Sequence, residues 1–475
     1  MSIVSHNLKT DYSDEMIQNN DLNRSVDSFI SKFEVVKHLY RCGAGKARGV
    51  AISVIFTYLL KLVFMNKSMY MQMHQGKFTE AFSKNAVYRF LDNPKANWQK
   101  YTIELSADII NNMLRDLTSK ERRDAFVIDD SLFDRSRSKN VELLSRVFDH
   151  CGKGYKKGFR LLTLGWSDGA TFLPIDFCLL SSTNEKNRFN SAKDFDHRTL
   201  AYRRREQSQT KSTDVVMQLL ENAVKAGHSA KYVLFDSWFS EPVNIQRIKK
   251  MGLDTIAMIK KSSKINYLVG EEKLNVKQIY SRNRKRRGRS KYLLSVDVML
   301  GKEDKVRGLN PIEAKIVYVR NRSNRKDWLA IICTDMSLSE EEIIAQYGKR
   351  WAIEVFFKTC KSYLHLVKEY RGLSFDAMCG HIAVVFTRYM ILAINRRYSD
   401  DQRSLGEIFF FMVDEIADIT FDDSMQIIFT ALFEAISVVF QPTEAKMTEF
   451  INAFLGGLPD YMQSALSPMQ EALTA

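Results

Sequence analysis

The sequence of 475 residues is poor in cysteine and proline, with only six cysteines and seven prolines. No two cysteines stand at C-x-x-C spacing, which argues against a zinc ribbon. Few, scattered cysteines in a chain of this length are typical of a protein in a reducing compartment. The first sixteen residues are polar and lack the apolar segment of a secretory signal, so we expect a cytoplasmic protein.

Long hydrophobic runs are also missing. The longest apolar stretches, near residues 51–65 and 382–394, are interrupted by Lys61 and Arg388. Both are too short to span a bilayer and are better explained as buried helices, so no membrane is expected as a partner. The glycines of residues 152–158 lack the Gly-x4-Gly-Lys-Ser/Thr pattern, which excludes a P-loop.

Acidic residues are outnumbered, 56 to 70, which leaves a net charge of +14. The excess is uneven, because residues 400–475 hold 13 acidic and two basic side chains and residues 1–399 therefore carry +25. A body this basic favours a polyanionic partner, most often nucleic acid.

The basic residues are densest between residues 277 and 326, with 16 cations against four acids. Seven of the ten residues in 282–291 are basic. Such a block repels itself unless it is solvated or paired with a polyanion. We predict that it contacts phosphates, with Arg284, Arg286 and Arg287 as candidates; a solvated surface loop is the alternative.

Helical periodicity runs from residue 26 to about 117, with Pro94 as the only proline, and predicts a helical N-terminal domain. Residues 83–91 have the pattern of a recognition helix that would present Lys84 and Arg89 to DNA. An ordinary surface helix explains the same residues equally well.

The pattern changes at residue 125, where a short apolar run stops at Asp129, Asp130 and Ser131. We expect a buried strand with carboxylates at its end. Two β-rich runs joined by a turn come next (residues 159–166 and 171–180). An amphipathic helix (213–226) and an apolar strand (232–235) that runs into Asp236 follow them. This order, with acids at two strand ends, resembles an RNase H-like core in an α/β protein.

Residues 256–335 are β-rich, without a strongly amphipathic helix, and two capping boxes near Ser339 then predict a helix of about 25 residues. That helix carries Tyr347, Arg350, Glu354 and Lys361, which fall on one stripe about 60° wide at 100° per residue. Such a stripe is often a solvated face. Here apolar and aromatic side chains surround it, so we expect a partly buried, functional acid.

The spacing Tyr347-x2-Arg350-x3-Glu354-x6-Lys361 resembles the Y-R-E-K signature of the insertion-sequence-four family of bacterial transposases. Asp129 and Asp236 then resemble the two aspartates of the DDE triad in that family. Asp130 is the competing register for the first aspartate, because adjacent residues of a strand face opposite ways. The resemblance covers about residues 83–398, and the gap before Glu354 is long enough for the β-rich insertion of the family.

The resemblance implies a site for metal-dependent phosphoryl transfer on DNA. Asp129, Asp236 and Glu354 would be the catalytic residues and metal ligands, and their hard oxygens suit Mg²⁺ or Mn²⁺, with two ions expected. Tyr347, Arg350 and Lys361 would hold the transposon end. Trp328 would stack on a flipped base in a hairpin intermediate; a core tryptophan is the equal alternative.

The sequence thus predicts a DNA transposase that binds the inverted-repeat ends of its element as a homodimer, cuts double-stranded DNA and joins the 3′ ends to a target. It would work in the cytoplasm and associate with the nucleoid when bound to DNA. An inactive DNA-binding regulator of the same fold and an RNase H-like nuclease without strand transfer are the alternatives.

Five regions are expected. They are a helical DNA-binding domain (residues 1–120), the first part of the RNase H-like core (121–255) and a β-rich basic insertion (256–335). The core helix with Glu354 follows (336–398), and then an acidic helical region that is a candidate for dimerisation (399–475).

Overall fold

A computed structural model describes most of the chain: residues 26–46, 48–63, 69–74, 82–118, 122–149, 152–287, 290–321, 324, 327–367, 372–399, 432 and 435–457. The chain divides into two compact units, residues 1–402 and 403–475. Much of the predicted acidic region, residues 399–475, lies outside the described residues, so its proposed role in dimerisation stays a prediction.

The helices in chain order are α1 (Val35–Arg41), α2 (Ile52–Leu62), α3 (Met69–His74), α4 (Lys84–Leu91), α5 (Trp98–Ile109), α6 (Leu200–Ser208), α7 (Ser212–Lys225), α8 (Pro242–Lys250), α9 (Val276–Arg282), α10 (Glu340–Gly348), α11 (Trp351–Ser362), α12 (Phe375–Ser399) and α13 (Glu444–Gly456). The strands are β1 (Ala125–Asp134), β2 (Ser145–Asp149), β3 (Gly154–Ser167), β4 (Phe172–Leu180), β5 (Tyr232–Phe235), β6 (Asp254–Met258), β7 (Asn266–Val269), β8 (Glu272–Asn275), β9 (Leu294–Leu300), β10 (Ile312–Arg320) and β11 (Trp328–Cys333).

The predicted N-terminal helices are present in the described residues, and α12 packs on α2, α4 and α5. Trp98 and Tyr101 of α5 are fully buried there and meet Phe90 and Phe56 edge to face. Such aromatic pairs add to the free energy gained by burying their area. This cluster attaches the N-terminal helices to α12.

The helix predicted to recognise DNA is α4. It buries an apolar face that includes Phe90 and Leu91, whereas Lys84 and Arg89 are exposed. One face is therefore held by the core, and the other carries positive charge. Its role in DNA recognition stays a prediction.

The strands form one mixed sheet in the order β2-β3-β1-β5-β6-β11-β10-β9-β7-β8, and β4 also pairs with β3. β3 is antiparallel to both β1 and β4, which confirms the predicted hairpin. β5 is parallel to β1 and to β6. The order β4-β3-β1-β5-β6, with helices between the parallel strands, is consistent with the predicted RNase H-like core of an α/β protein.

Strand β1 is longer than the sequence indicates. The prediction that the strand ends at Asp129 is wrong, because β1 continues to Asp134. Its parallel pairing with β5 does end at Ile128, but its antiparallel pairing with β3 continues for six more residues. The apolar run therefore marks the part of β1 that is covered on both faces, and the polar residues beyond it remain strand.

The β-rich region of residues 256–335 continues the same sheet, because β11 pairs antiparallel with β6 and β10 lies between β11 and β9. The region also contains α9, a short helix that the sequence analysis missed. Its signal was a capping box between Asn275 and Gln278, with both reciprocal hydrogen bonds present.

The prediction of one helix from Ser339 to about residue 364 is wrong in one respect. The chain forms α10 and α11, with a tightened turn between them. In that turn the N–H of Lys349 donates to the carbonyl of Gln346, and the N–H of Arg350 donates to that of Tyr347. These are i to i−3 bonds of the 3₁₀ type.

Helix α12 contains one segment, Phe375–Ile394, that is long and apolar enough to cross a membrane by length and composition alone. It is 83% buried inside the protein. Arg388, in its middle, is fully buried and donates hydrogen bonds to the carbonyls of Leu364 and Leu59. These features are typical of the central helix of a folded core.

Buried ion pairs connect α12 with α6 and with the segment before β2. The guanidinium of Arg205 donates to Glu142 at 2.5 Å and to Asp376 at 2.7 Å, and Arg204 also pairs with Asp376. All four side chains are buried. Because each buried charge has a partner, the network holds α6, the start of α12 and the segment before β2 in a fixed arrangement.

We predict that Arg205→Met destabilises the protein by about 3–5 kcal/mol, because buried Glu142 then loses the guanidinium that pairs with it and Asp376 keeps only Arg204. Chemical unfolding followed by circular dichroism measures the change. Arg198→Met is the matched control, since Arg198 and its partner Asp196 are exposed, and it should leave the unfolding curve unchanged. Equal stability of Arg205→Met and wild type would contradict the prediction.

Candidate active site

The pairing of β1 with β5 brings the two aspartates together. The last parallel pair is Ile128 with Phe235, so Asp129 and Asp236 are the next residues at the same edge of the sheet. The carboxylate of Asp236 accepts a hydrogen bond of 2.8 Å from the backbone N–H of Trp238, which fixes its orientation. Strand-end positions of this kind are where α/β sheets place ligand-binding side chains.

Arg350 links the first aspartate to the glutamate. One terminal nitrogen of its guanidinium lies 3.4 Å from Asp129 Oδ2, and the other lies 2.5 Å from Glu354 Oε1. The link is possible because Arg350 immediately precedes α11 and Glu354 lies one helical turn later. The signature residues on the α10–α11 segment thereby reach the carboxyl edge of β1.

Burial raises the pKa of Asp129 to about 7, against the opposing effect of the Arg350 guanidinium. The negative charges of Asp236 and Asp130 raise it further. A carboxylate whose pKa is raised by burial and by neighbouring negative charges has a strong need for added positive charge. The site is therefore electrostatically suited to bind a cation.

Asp130 points elsewhere. Its carboxylate pairs with Arg160 on the neighbouring strand β3, whereas Asp129 is the one beside Arg350. Adjacent strand residues face opposite ways, so only one of the two can join Asp236. This geometry favours Asp129 over the competing register.

The remaining two signature residues lie around the same edge. The hydroxyl oxygen of Tyr347 is buried, and its ring lies 5.8 Å from the Arg350 guanidinium. Burial raises the pKa of Tyr347 to about 12, so the phenol stays protonated and can donate a hydrogen bond. Lys361 Nζ donates to Ser131 Oγ at 2.6 Å, two residues beyond Asp129.

A second charged side chain anchors the turn between α10 and α11. Lys349 Nζ donates to the backbone carbonyl of Arg123, just before β1, at 2.7 Å. Burial lowers the pKa of Lys349 to about 8, and the carboxylates of Asp168 and Asp124 oppose that effect. The sequence analysis missed this residue, whose only signal was a cation next to Arg350.

Trp328 lies inside an aromatic cluster. Its ring stacks on Tyr280 with centroids 4.7 Å apart, meets Tyr318 at 5.1 Å, and has Lys261 Nζ 4.4 Å from its centroid. A base could stack on this ring only by displacing one of these groups. The arrangement therefore favours the core alternative for Trp328.

The three candidate arginines of the basic segment are exposed, and they are not part of the carboxylate site. Arg286 lies over the ring of Tyr292 at 4.2 Å, and Arg284 and Arg286 line a shallow cavity with Glu340. Arg287 follows them, and residues 288 and 289 are outside the described residues. The segment therefore adjoins the start of α10, the helix that carries Tyr347.

The donor chemistry of the site fits a hard divalent cation, because Asp129, Asp236 and Glu354 offer only carboxylate oxygens. Among the described residues, no three His, Cys, Asp or Glu side chains lie close enough together to hold a metal ion. Arg350 stands between Asp129 and Glu354 in this arrangement and neutralises part of their charge.

With this geometry established, the comparison with known families is decisive. The family model of the DDE superfamily endonucleases matches residues 57–310. The chain belongs to this family. The match includes Asp129 and Asp236 and ends before Glu354, so the assignment of Glu354 as the third acid stays a prediction. No curated protein matches the sequence.

Membership of the DDE superfamily endonucleases implies a nuclease- or transposase-like enzyme that acts on DNA. Enzymes of this kind generally use divalent metal ions. The raised pKa of Asp129 agrees with this chemistry, since a cation would replace the missing positive charge.

We predict that Asp129→Asn stabilises the metal-free protein at pH 8 by roughly 2–4 kcal/mol. The native pKa of Asp129 is about 7, above the value near 3.9 of an unfolded chain. The native state therefore binds the extra proton between these values, and its stability falls as the pH rises toward 7. Asparagine resembles the protonated form, so the difference should vanish near pH 4.

Thermal unfolding in a metal chelator at several pH values tests this. Asp130→Asn is the matched control, because it removes the partner of Arg160 and should give no gain at pH 8. A wild type as stable as Asp129→Asn at pH 8 would show that the buried carboxylate is already fully compensated.

Proposed function

We propose that this protein is a DNA transposase of the insertion-sequence-four type. It binds the inverted-repeat ends of its element, cleaves them and joins the 3′ ends to target DNA. The contact of Arg350 with both Asp129 and Glu354 is the observation that supports the proposal most, because it joins the Y-R-E-K signature to the aspartate that the family match includes.

The reaction is an in-line displacement at phosphorus, in which the protein mainly positions groups and compensates charge. Asp129, Asp236 and Glu354 would hold Mg²⁺ or Mn²⁺, two ions in our proposal. When bound, the ions activate the attacking hydroxyl or water and stabilise the leaving oxygen. The raised pKa of Asp129 makes cation binding weaker below pH 7, since the proton then competes for the carboxylate.

The other signature residues suit the phosphates next to the cut. Arg350 has a planar fork that matches phosphate oxygens, and Lys361 supplies a point charge near Ser131. Tyr347 keeps its proton and can donate to a phosphate. Together these side chains would hold the transposon end over the carboxylates.

Cut-and-paste transposition through a hairpin intermediate, a homodimeric synaptic complex and association with the nucleoid remain part of the proposal. The hairpin route does not depend on Trp328, whose ring is engaged by Tyr280 and Lys261. The exposed arginines 284, 286 and 287 would contact phosphates along the flanking duplex.

We predict that Asp129→Asn, Asp236→Asn and Glu354→Gln each reduce end cleavage at least about 10³-fold, because each removes a ligand of the catalytic ions. The assay incubates the protein, Mg²⁺ and a plasmid that carries the element with its flanking repeats, and follows excision and joining on gels. Asp130→Asn is the control for Asp129→Asn and should retain activity within about tenfold.

Two outcomes would change the conclusion. Unchanged cleavage by Glu354→Gln would exclude it from the triad. Cleavage by the wild type without joining to a target plasmid would favour a nuclease without strand transfer, and specific binding without cleavage would favour an inactive regulator.

We also predict that the triple substitution of arginines 284, 286 and 287 by alanine reduces the salt dependence of DNA binding. Each lost phosphate contact should lower the slope of log K against log salt by about 0.9. Fluorescence anisotropy with duplex DNA at several salt concentrations measures the slope. Alanine at the exposed cations Arg198, Lys211 and Lys225 is the control, and an equal change in both variants would refute a specific role of the basic segment.

A further inference from the structure

Joining a DNA end to a target requires two DNA segments at one active site, and the sheet places cationic surfaces on both sides of the two aspartates. The basic segment adjoins β9, where the N–H of Arg286 donates to the carbonyl of Leu293. In the strand order, β9 lies beyond β6, β11 and β10, whereas β3 and β2 lie on the opposite side of β1 and β5. A second DNA segment therefore has a place on the β2–β3 side.

Strands β2 and β3 form a ribbon that extends beyond the carboxyl edge of β5. Asp129 is paired with Thr163 of β3, and β3 reaches from there back to its pairing with β2 at residues 154–158. Side chains alternate along a strand, so Lys157 and Tyr155 lie on the same face of β3 as Thr163. They stand six and eight residues from Thr163, about 20 and 27 Å along the strand at 3.4 Å per residue. The ribbon thus continues the face of the sheet that carries Asp129.

The outer face of this ribbon carries cations and aromatic rings. Arg146 stands opposite Lys157, and Phe148 stands opposite Tyr155. Phe148 is 41% exposed and Tyr155 is 62% exposed, and their rings meet edge to face with centroids 5.3 Å apart. Phe189, which is 49% exposed, joins them from a neighbouring segment. Exposed aromatic side chains gathered in this way mark an interaction surface.

The two cations of this face are held by rings. The Arg146 guanidinium and Lys157 Nζ lie 4.0 and 4.8 Å from the centroids of exposed aromatic rings. In the described part of the ribbon, the carboxylate of Asp149 belongs to the other face, where Lys156 pairs with it at 2.8 Å. A ring attracts a cation without neutralising it. Arg146 and Lys157 therefore keep charge that phosphates can compensate.

The side chains on this face suit DNA of any sequence. Arginine and lysine bind phosphates, and aromatic rings contact nucleotides with little regard to sequence. Asparagine, glutamine, aspartate and glutamate, which read the edges of adenine and cytosine, are absent from the described part of this face. The ends of an element must be told apart from other DNA, whereas a target needs no such recognition. The composition therefore fits target DNA better than element ends.

We propose that the outer face of the β2–β3 ribbon, with Arg146 and Lys157 on phosphates, is a docking surface for the duplex of the target DNA. This rests on the proposed function in one respect, that the carboxylate site joins element ends to a target. It deepens that function by separating the surface that holds the target from the residues that hold the element end.

The first measurement needs neither metal nor cleavage. The full-length protein is titrated against a duplex of random sequence at several salt concentrations, and anisotropy gives the affinity. We expect Arg146→Ala with Lys157→Ala to reduce the steepness of log K against log salt by about 1.8, the effect of two phosphate contacts. The exchange Arg146→Lys with Lys157→Arg keeps both charges and should keep the steepness.

Lys225→Ala with Lys250→Ala is the matched control. Both lysines are exposed, and they end α7 and α8, the helices that lead into β5 and β6 at the edge of the sheet opposite the carboxylates. This variant loses the same charge as the double alanine variant of the ribbon. It should bind random DNA with the salt dependence of the wild type.

The second measurement separates the target from the element end. A plasmid with the intact element reports end cleavage, and pre-cut ends with a target plasmid and Mg²⁺ report joining. We expect the double alanine variant of the ribbon to cleave within about threefold of the wild type and to join at least about tenfold less, because it lacks two charge-assisted contacts with the target. Lower salt should strengthen the remaining attraction and narrow the deficit.

Each outcome decides one part of the proposal. An unchanged salt dependence in the double alanine variant would refute a DNA contact of the ribbon. Equal losses of cleavage and joining would refute the assignment to the target, because element ends would then use the same surface. If the wild type binds random DNA through the ribbon but never joins ends, the proposed function and the target assignment fail together, while the DNA contact stands.

Discussion

Carboxylates can be gathered in a partly buried site only if positive charge compensates for them, and Arg350 meets that requirement here. Its guanidinium contacts Asp129 and Glu354, while Asp236 lies next to Asp129 at the sheet edge. The compensation is incomplete, because the pKa of Asp129 still rises to about 7. The protein thus keeps a site with a remaining demand for cations, and a site built only for stability would have satisfied that demand.

The surrounding structure keeps these groups in register. The parallel pairing of β1 with β5 fixes the two aspartates, and the antiparallel extension of β1 along β3 holds Asp130 and Ser131 beside them. Lys349 ties the turn before α11 to the backbone that enters β1. Glu354 and Asp129 therefore lie on elements that are held together close to the candidate site. Precise positioning of catalytic groups requires such a connection.

Much of this could be predicted from the sequence, for identifiable reasons. The apolar strands before Asp129 and Asp236 and the hairpin of β3 and β4 have strong local patterns, and the spacing of Arg350 and Glu354 follows from helix geometry. The continuation of β1 beyond Asp129 depends on its partner β3, and the contacts of Lys349 depend on residues more than 200 positions away. Trp238 carried no motif, and the cations near its ring come from β3 and from the chain after β6. Contacts between distant segments have no local signature, so the structure was needed to find them.

Arg350 has to serve two kinds of acceptor if the proposed function is correct. In the structure its fork is used by Asp129 and Glu354, and in the proposed complex it contacts phosphate. One guanidinium cannot fully satisfy both, so a phosphate that attracts it leaves the carboxylates with uncompensated charge and raises their affinity for divalent cations. By linkage, cations on those carboxylates would release Arg350 and raise the affinity for DNA to the same extent. In the proposed complex, the charge balance around Arg350 would thus make cation binding and DNA binding mutually reinforcing.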